Sequence, residues 1–156
     1  MKALVVYSSQ TSNTKKVAEG LAAELGCDMV ALADAADLSD YELVVVGFWY
    51  KAGQPDPASQ EFLAKLAGKK VFLFATHGAA VGSPPAENGM AKAKELAGGA
   101  QVIGSFSCPG EVDEKFLAMA AKKDPQPPWL GAAPAAKGHP DASDVAAARA
   151  ALRAAL

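Results

Sequence analysis

The stretch LVVYSSQTSNT, residues 4–14, joins a run of apolar residues directly to a run of small polar ones. Its apolar part belongs to residues 2–7, a short, continuous, β-branched segment typical of a strand that is buried on both faces of a sheet. The residues that follow, 14–26, place apolar side chains at helical spacing and end on a glycine. The stretch therefore predicts a buried strand, a polar loop and a helix in immediate succession.

The same order of strand and helix recurs along the chain. Further apolar runs predict strands at residues 27–32, 43–49, 69–76 and 100–108, and helical patterns occupy residues 57–68, 84–99 and 112–123. Strands that are apolar throughout and alternate with helices favour a parallel sheet covered by helices on both faces. Right-handed crossover connections restrict such a sheet to a few doubly wound strand orders.

Length and proline content predict how the chain is organised. The 156 residues suffice for one hydrophobic core, so we expect one domain across residues 1–156. Residues 124–140 contain five of the ten prolines and show no periodicity, which predicts a Pro-rich surface segment. A final Ala-rich helix is expected at residues 141–156, with Asp141 or Ser143 able to cap it.

Composition and charge exclude several classes of function. A formal charge of −2 gives no electrostatic basis for binding nucleic acid or an anionic membrane. No apolar run approaches the roughly 20 residues that span a bilayer, and no leader pattern begins the chain, so we expect a cytoplasmic protein. Cys27 and Cys108 match no metal or redox spacing, which predicts two buried free thiols. His77 and His139 lack the spacing of metal ligands, so no metal site is expected.

The topology selects the loops in which a ligand would bind. Open parallel sheets bind ligands beyond the carboxyl ends of their strands, here the loops at residues 8–14, 48–54, 76–86 and 108–113. The first of these opens a helix, whose free N–H groups and partial positive charge bind phosphate without a lysine. Ser9, Thr11, Asn13 and Thr14 can add donors. The alternative is that these residues only cap the helix, although six small polar side chains in seven positions exceed what one cap needs.

The second loop adds aromatic side chains to this edge. Trp49 and Tyr50 end a buried strand and either offer a flat stacking surface or pack against a helix. A phosphate site beside such a surface suits a ligand with one phosphate and one flat ring system. The GxxxxGK[ST] and GxGxxG phosphate motifs are absent from the sequence, as is a Cys-x5-Arg loop.

Three segments resemble one known family. SQTSNT, residues 9–14, is similar to the flavodoxin phosphate loop [ST]-x-T-G-x-T, with Ser12 in the glycine position. VVVGFWYKAG, residues 44–53, resembles the flavodoxin loop that carries a flavin-stacking Trp. GFW and GSFSCPG resemble a subgroup of short flavodoxin-like proteins, the BilS type, which is associated with a bilin reductase. The resemblance implies an α/β, flavodoxin-like, doubly wound three-layer sandwich with a five-stranded parallel sheet of order 2-1-3-4-5.

The resemblance also implies a function. We expect FMN binding and electron transfer to a partner reductase such as a bilin reductase. The expected redox partner protein is that reductase or an electron donor, and the chain is expected to be a monomer or weak dimer with no catalytic residue of its own. Trp49 would stack on the flavin, the backbone of residues 50–53 would bond its N5 with Gly53 the freest to reorient, and residues 76–78 would border the ring. The implied FMN contacts are Ser8, Ser9, Gln10, Thr11, Ser12, Asn13, Thr14, Phe48, Trp49, Tyr50, Gly53, Thr76, His77 and Gly78.

Departures from the family pattern keep other interpretations open. Ser12 replaces a glycine, and residues 76–89 contain no Tyr, Phe or Trp to cover the outer flavin face. That face is either open or covered by His77 or by Trp129. Lys51 places a cation where acidic residues are often found, which would raise the flavin potential. One alternative is a flavodoxin-fold NAD(P)H-dependent reductase of quinone-type acceptors. Another is a non-redox module that has kept the fold and lost the cofactor.

Overall fold

A computed structural model describes residues 2–80 and 82–156 of the chain, without the side chains of residues 128 and 129. The strands are β1 (Ala3–Tyr7), β2 (Asp28–Ala31), β3 (Leu43–Lys51), β4 (Gln54–Pro55), β5 (Lys70–His77) and β6 (Gln101–Pro109). The α-helices are α1 (Asn13–Leu25), α2 (Pro57–Leu63), α3 (Pro84–Leu96), α4 (Glu114–Ala121) and α5 (Ala142–Ala155). Two 3-10 helices lie at Leu32–Asp34 and Pro128–Ala136.

Five of the strands form a parallel sheet in the order β2-β1-β3-β5-β6. Numbered without the two-residue β4, this order is 2-1-3-4-5, which confirms the predicted topology. The short β4 pairs antiparallel with the end of β3 and forms a hairpin that the sequence did not predict. Because β1 lies between β2 and β3, the connections leaving β1 and β3 run in opposite directions along the sheet, and the switch point lies between these two strands.

The two faces of the sheet are covered by different helices. Alternate strand residues such as Val6, Val46 and Leu73 are fully buried in a core that includes residues of α2 and α3. Their neighbours in sequence, such as Val5 and Val45, are buried on the opposite face with residues of α1 and α5. Side chains that point alternately to the two faces of a strand produce this arrangement, and both faces are apolar because both are covered.

Several elements differ from the sequence-based expectation. Helix α2 ends at Leu63 rather than at residue 68, and a turn with a left-handed Gly68 completes the connection. Strand β3 continues to Lys51, two residues beyond the predicted end at residue 49, so residues 50 and 51 lie in a strand instead of a loop. The predicted Pro-rich surface segment, residues 124–140, contains the 3-10 helix Pro128–Ala136, in which small Ala133 and Ala136 are buried.

The C-terminal helix is capped and anchored. Asp144 donates its N–H to the Asp141 carboxylate at 3.0 Å and accepts the N–H of Asp141 at 2.9 Å, a reciprocal capping box. Arg149 and Arg153 each pair with Glu24 of α1 at 2.8 Å. These contacts confirm Asp141 as the cap and fix α5 against α1.

The structure describes the environments of both cysteines and the length of every described helix. Cys108 is buried, and burial raises the pKa of its thiol to about 12, whereas Cys27 is only half-buried, contrary to the prediction. Across residues 2–80 and 82–156, no helix combines the length and the apolar character that crossing a membrane requires.

Candidate functional site

A cleft of about 880 Å³ opens beyond the carboxyl ends of β1, β3, β5 and β6. This is the edge of the sheet that the topology selects for ligands. The predicted contacts that line it are Ser9, Gln10, Thr11, Asn13, Thr14, Trp49, Tyr50, Gly53, Thr76, His77 and Gly78. Residues 110–113 also line it, so the structure brings together residues from all four of the loops selected by the sequence.

Three predicted contacts do not line the cleft. Phe48 is fully buried in the core on the face covered by α2 and α3, because its side chain alternates with that of Trp49. Ser8 donates its hydroxyl to the Asp56 carboxylate at 3.1 Å. Ser12 is exposed and has a left-handed backbone with φ 68°. That conformation favours glycine, which explains the glycine in the family pattern at this position.

The loop between β1 and α1 is not used to cap the helix. Ser12, the residue before α1, makes no side-chain capping hydrogen bond, and the first turn of the helix contains no acidic side chain. Among the described side chains, the Ser9 hydroxyl oxygen is buried without a hydrogen-bond partner. A buried hydroxyl without a partner costs about 1–3 kcal/mol, so this hydroxyl beside a helix N-terminus fits a polar ligand that accepts its hydrogen bond.

Hydrogen bonds join this loop to the neighbouring strands. The hydroxyls of Thr14 and Thr76 lie 2.9 Å apart and are both buried. Asn13 donates its side-chain amide to the carbonyl of Glu111 at 2.9 Å. A Cβ at Gly110 would lie 2.9 Å from the Asn13 amide nitrogen and 3.3 Å from the Thr76 Cβ, so this close approach requires glycine. The polar loop is thus fixed against β5 and the loop after β6.

Asp56 connects the polar loop to α2 and to the hairpin. Its buried carboxylate accepts the Ser8 hydroxyl, the Ser59 N–H at 3.2 Å and the Ser59 hydroxyl at 2.8 Å. Its own N–H donates to the carbonyl of Trp49 at 3.0 Å. The sequence analysis missed this residue, although an aspartate before a proline and three residues before a serine is a recognisable helix start.

Trp49 and Tyr50 have different environments because they point to opposite faces of β3. Tyr50 stacks between Phe48 and His77, at centroid distances of 6.2 and 5.3 Å, and donates its hydroxyl to the carbonyl of Ala86 at 2.7 Å. Burial raises the pKa of Tyr50. A Cβ at Gly89 would lie only 2.5 Å from its ring, so α3 packs directly on it. Both residues line the cleft, and Tyr50 in addition packs against a helix, one of its two predicted roles.

The β3–β4 hairpin forms the exposed lip beside Trp49. Lys51 pairs with Gln54 across a two-residue turn in which Ala52 has φ 54° and Gly53 has φ 78°. Positive φ at both turn residues is the arrangement that matches the twist of paired strands. The cleft is lined here by three exposed residues, Lys51, Ala52 and Gly53. The Lys51 ammonium gives this part of the cleft a positive charge.

His77 borders the cleft as a buried residue at the end of β5. Its Nδ1 lies 3.1 Å from the carbonyl oxygen of Ala79. A carbonyl can only accept, so Nδ1 carries the proton of the neutral ring. Burial lowers the pKa of His77, partly offset by the bond to Ala79, which keeps the imidazole neutral at pH 7.

Helix α4 supplies a wall that the sequence analysis did not assign. Phe116 and Met119, one helical turn apart, line the cleft with 53% and 65% of their surface exposed. The loop before this helix was selected from the topology, but the exposure of these side chains is a tertiary feature. The side chain of Trp129, named as a possible cover for a bound ring, lies outside the described residues.

A histidine and two aspartates lie together at the start of α5. Ligand-type atoms of His139, Asp141 and Asp144 lie within 4.8 Å of one another. The hydrogen bond from Nδ1 to Asp144 at 2.5 Å raises the pKa of His139, with smaller contributions from the charges of both aspartates. The capping box already uses both carboxylates, so the group has a structural role.

The sequence has a matching family model and a curated relative. The model for the flavodoxin domain matches residues 4–153. A flavodoxin-like domain-containing protein, BilS, from Clostridioides difficile (strain CD3) is 33% identical over 125 residues, which cover 76% of this chain and 71% of the relative.

Solved structures share the fold at low sequence identity. A flavodoxin from Streptococcus pneumoniae TIGR4 aligns over 100% of both chains with a TM-score of 0.57 and 16% identity. A flavoprotein from Lactobacillus acidophilus NCFM, solved in complex with FMN, covers 78% of this chain and 99% of its own, with a TM-score of 0.57 and 19% identity. Together with the family model and the relative, the strand order and the cleft lead to one conclusion: the chain belongs to the flavodoxin family.

Proposed function

We propose that the chain binds FMN in this cleft and carries electrons to a partner reductase in the cytoplasm. The observation that carries the proposal is the buried, unpartnered Ser9 hydroxyl at the N-terminus of α1, in the same cleft as Trp49. Bound FMN would supply the redox chemistry, and the protein supplies position and electrostatics.

The polar side of the cleft fits a phosphate monoester. The N–H groups at the start of α1 and the Ser9 hydroxyl are donors without a competing carboxylate in the first turn. Thr11 and Thr14 line the same side. Because the bond between Thr14 and Thr76 uses only one hydroxyl proton, the other hydroxyl retains a proton for a ligand.

The other side of the cleft fits a flat ring. We assign Trp49 to stacking on one face of the isoalloxazine, the backbone of residues 50–53 to the N5 edge, and residues 76–78 to the ring border. Lys51 stands on the exposed turn, where its charge would favour the reduced, more negative flavin and raise its potential.

The electron acceptor that we propose is a reductase of bilins. The support is the resemblance of the GFW and GSFSCPG segments to the BilS type, together with the relative of that name. Phe116 and Met119 give the cleft an apolar rim that a partner could contact.

A titration with two ligands tests FMN binding. The full chain is titrated with FMN and with riboflavin, which lacks the phosphate, while quenching of flavin fluorescence is followed. Ser9→Ala should weaken FMN binding about tenfold or more, since the hydrogen bond has a charged acceptor, and should leave riboflavin binding unchanged. Ser39→Ala, a change in the loop before β3, is the control and should alter neither affinity.

The outcomes separate the interpretations. Equal losses for both ligands in Ser9→Ala would contradict the phosphate role of this side. If the wild-type protein quenches neither flavin, the chain is the non-redox module instead.

A second candidate function, a stand-alone NAD(P)H-dependent reductase of quinone-type acceptors, is favoured by one observation. The loop after β5 lines the cleft with the small residues Gly78 and Ala79, which leaves room beside a bound ring. Anaerobic mixing of the loaded protein with NADPH alone distinguishes the two functions. Rapid bleaching of the flavin absorbance would favour the enzyme, and slow bleaching that an added NADPH-oxidising donor reductase accelerates would favour the carrier.

A further inference from the structure

We propose that His77 is a specificity-determining hydrogen-bond acceptor, whose Nε2 receives the imide N–H of the ring bound in the cleft. This inference rests on the proposed function, because the ring is that of FMN. It goes further by assigning to one side chain the recognition of one ring atom.

The hydrogen bond to Ala79 determines what the ring of His77 can offer. Nδ1 is the donor in the contact with the Ala79 carbonyl at 3.1 Å, so the neutral ring has its lone pair on Nε2. Within the part of the chain that the structure describes, Nε2 has no hydrogen-bond partner. Since His77 lines the cleft, Nε2 is the atom left for a ligand.

Packing holds the imidazole in this orientation. The ring stacks on Tyr50 at 5.3 Å with an interplanar angle of 17°, and only 5% of the residue is exposed. Tyr50 is itself fixed by its hydrogen bond to Ala86 and by the close approach of Gly89. A ring held by a neighbour on one face and a hydrogen bond on one nitrogen cannot turn without losing both contacts. Nε2 is thus a preorganised acceptor.

The chemistry of the ligand identifies the matching donor. Oxidised isoalloxazine has a single ring N–H, the imide N3–H, between two carbonyls that can only accept. A neutral imidazole nitrogen with a lone pair matches that N–H and repels the carbonyl oxygens beside it. Burial also lowers the pKa of His77, so the acceptor form persists at pH 7.

The test compares FMN with N3-methyl FMN, which has no imide N–H. Dissociation constants of the full chain are measured by fluorescence quenching for the wild type and for His77→Phe, which keeps a flat ring on Tyr50 and removes the acceptor. The wild type should bind FMN about tenfold more tightly than the methylated analogue. This ratio should fall close to one in His77→Phe and recover in His77→Gln, which restores an acceptor. The same change at the other histidine, His139→Phe, should leave the ratio as in the wild type.

Every outcome decides the proposal. Equal ratios in the wild type and His77→Phe would overturn it. The preference for FMN would then arise from a clash between the methyl group and other atoms of the cleft. If His77→Phe does not fold, equal affinities of the wild type for the two ligands would overturn it, and protection of the ¹⁵N-labelled imide proton from exchange would support it. A wild type that binds neither ligand would refute FMN binding as well, whereas FMN binding without discrimination would refute only the role of His77.

Discussion

The two sides of the cleft are built in different ways. Side chains of the polar loop at residues 8–14 form hydrogen bonds to three other parts of the chain, at Asp56, Thr76 and Glu111. The turn of the β3–β4 hairpin is exposed and contains two residues with positive φ. Fixed donors suit an anion that is held in one position, because they are oriented before it binds. An exposed turn containing glycine leaves backbone groups free to follow the ring.

The largest effect is expected at Asp56, the residue that connects both sides. Asp56→Ala removes the cap of α2 and leaves the hydroxyls of Ser8 and Ser59 without their acceptor. Loss of a cap costs about 1 kcal/mol, and each hydroxyl left without an acceptor adds a further cost. The free energy of unfolding should therefore fall by about 3 kcal/mol. Urea denaturation of the ligand-free protein measures this change.

Asp113 provides a matched control for Asp56. It also caps a short helix, α4, but it is exposed and accepts only the N–H of Lys115 at 2.8 Å. Asp113→Ala should therefore cost about 1 kcal/mol or less. Similar losses in the two variants would mean that Asp56 is an ordinary cap and does not connect the two sides.

A smaller effect is expected inside the polar side. Thr14→Val keeps the shape of the side chain and leaves the buried hydroxyl of Thr76 without its partner. The free energy of unfolding should fall by about 2 kcal/mol. Adding Thr76→Val should recover most of this loss, because replacing both partners by apolar groups leaves no unpaired hydroxyl.

The double variant also separates stability from binding. Thr14→Val with Thr76→Val should be folded, should bind FMN more weakly than the wild type, and should lose more affinity for FMN than for riboflavin. If the double variant is less stable than Thr14→Val alone, the two hydroxyls do not form an isolated pair. If it binds FMN as tightly as the wild type does, they do not contact the phosphate.

An increase in stability is expected from a substitution on the hairpin side of the cleft. Ala52 has a φ of 54°, a conformation that costs a residue with a Cβ roughly 1–2 kcal/mol. Ala52→Gly should raise the free energy of unfolding by about 1 kcal/mol after the greater entropy of the unfolded glycine is subtracted. Ala91→Gly, at an exposed position within α3, should instead lower it by about 1 kcal/mol. A loss in both variants would show that the turn is not strained at Ala52.

The polar side of the cleft is easier to predict from the sequence than the hairpin side, for a physical reason. Strand β1, the loop after it and α1 are adjacent in the chain, so local pattern alone brings Ser9 and Thr14 to one place. The strand order likewise follows from apolar runs and crossover handedness. Which face of β3 each aromatic side chain reaches is set by tertiary packing: Phe48 is buried in the core, whereas Trp49, the next residue, lines the cleft.

The remaining walls depend on tertiary packing. Whether Phe116 and Met119 are buried or exposed is set by how α4 sits on the body, and the apolar pattern of a short helix cannot distinguish the two. The conformation of Ser12 also follows from the loop as a whole, although its position in the family pattern pointed to it. Asp56 was recognisable as a cap, but its bond to Ser8 spans 48 residues.

The smallest effect on stability is expected at His139. This residue adjoins the polar side of the cleft, because its carbonyl accepts the N–H of Glu111 at 2.8 Å. Asp144 raises the pKa of His139 above its usual 6.5, so the folded state binds the proton more tightly than the unfolded state. This contribution is complete below pH 6.5 and is lost as the pH rises through the raised pKa. The pKa of His77 is lowered, so its effect on stability has the opposite sign: stability is lost as the pH falls below 6.5. In urea denaturation between pH 6.5 and 8, below the range in which the unfolded cysteine thiols ionise, His139→Gln should remove the decline in stability; an unchanged decline would exclude the His139–Asp144 pair as its source.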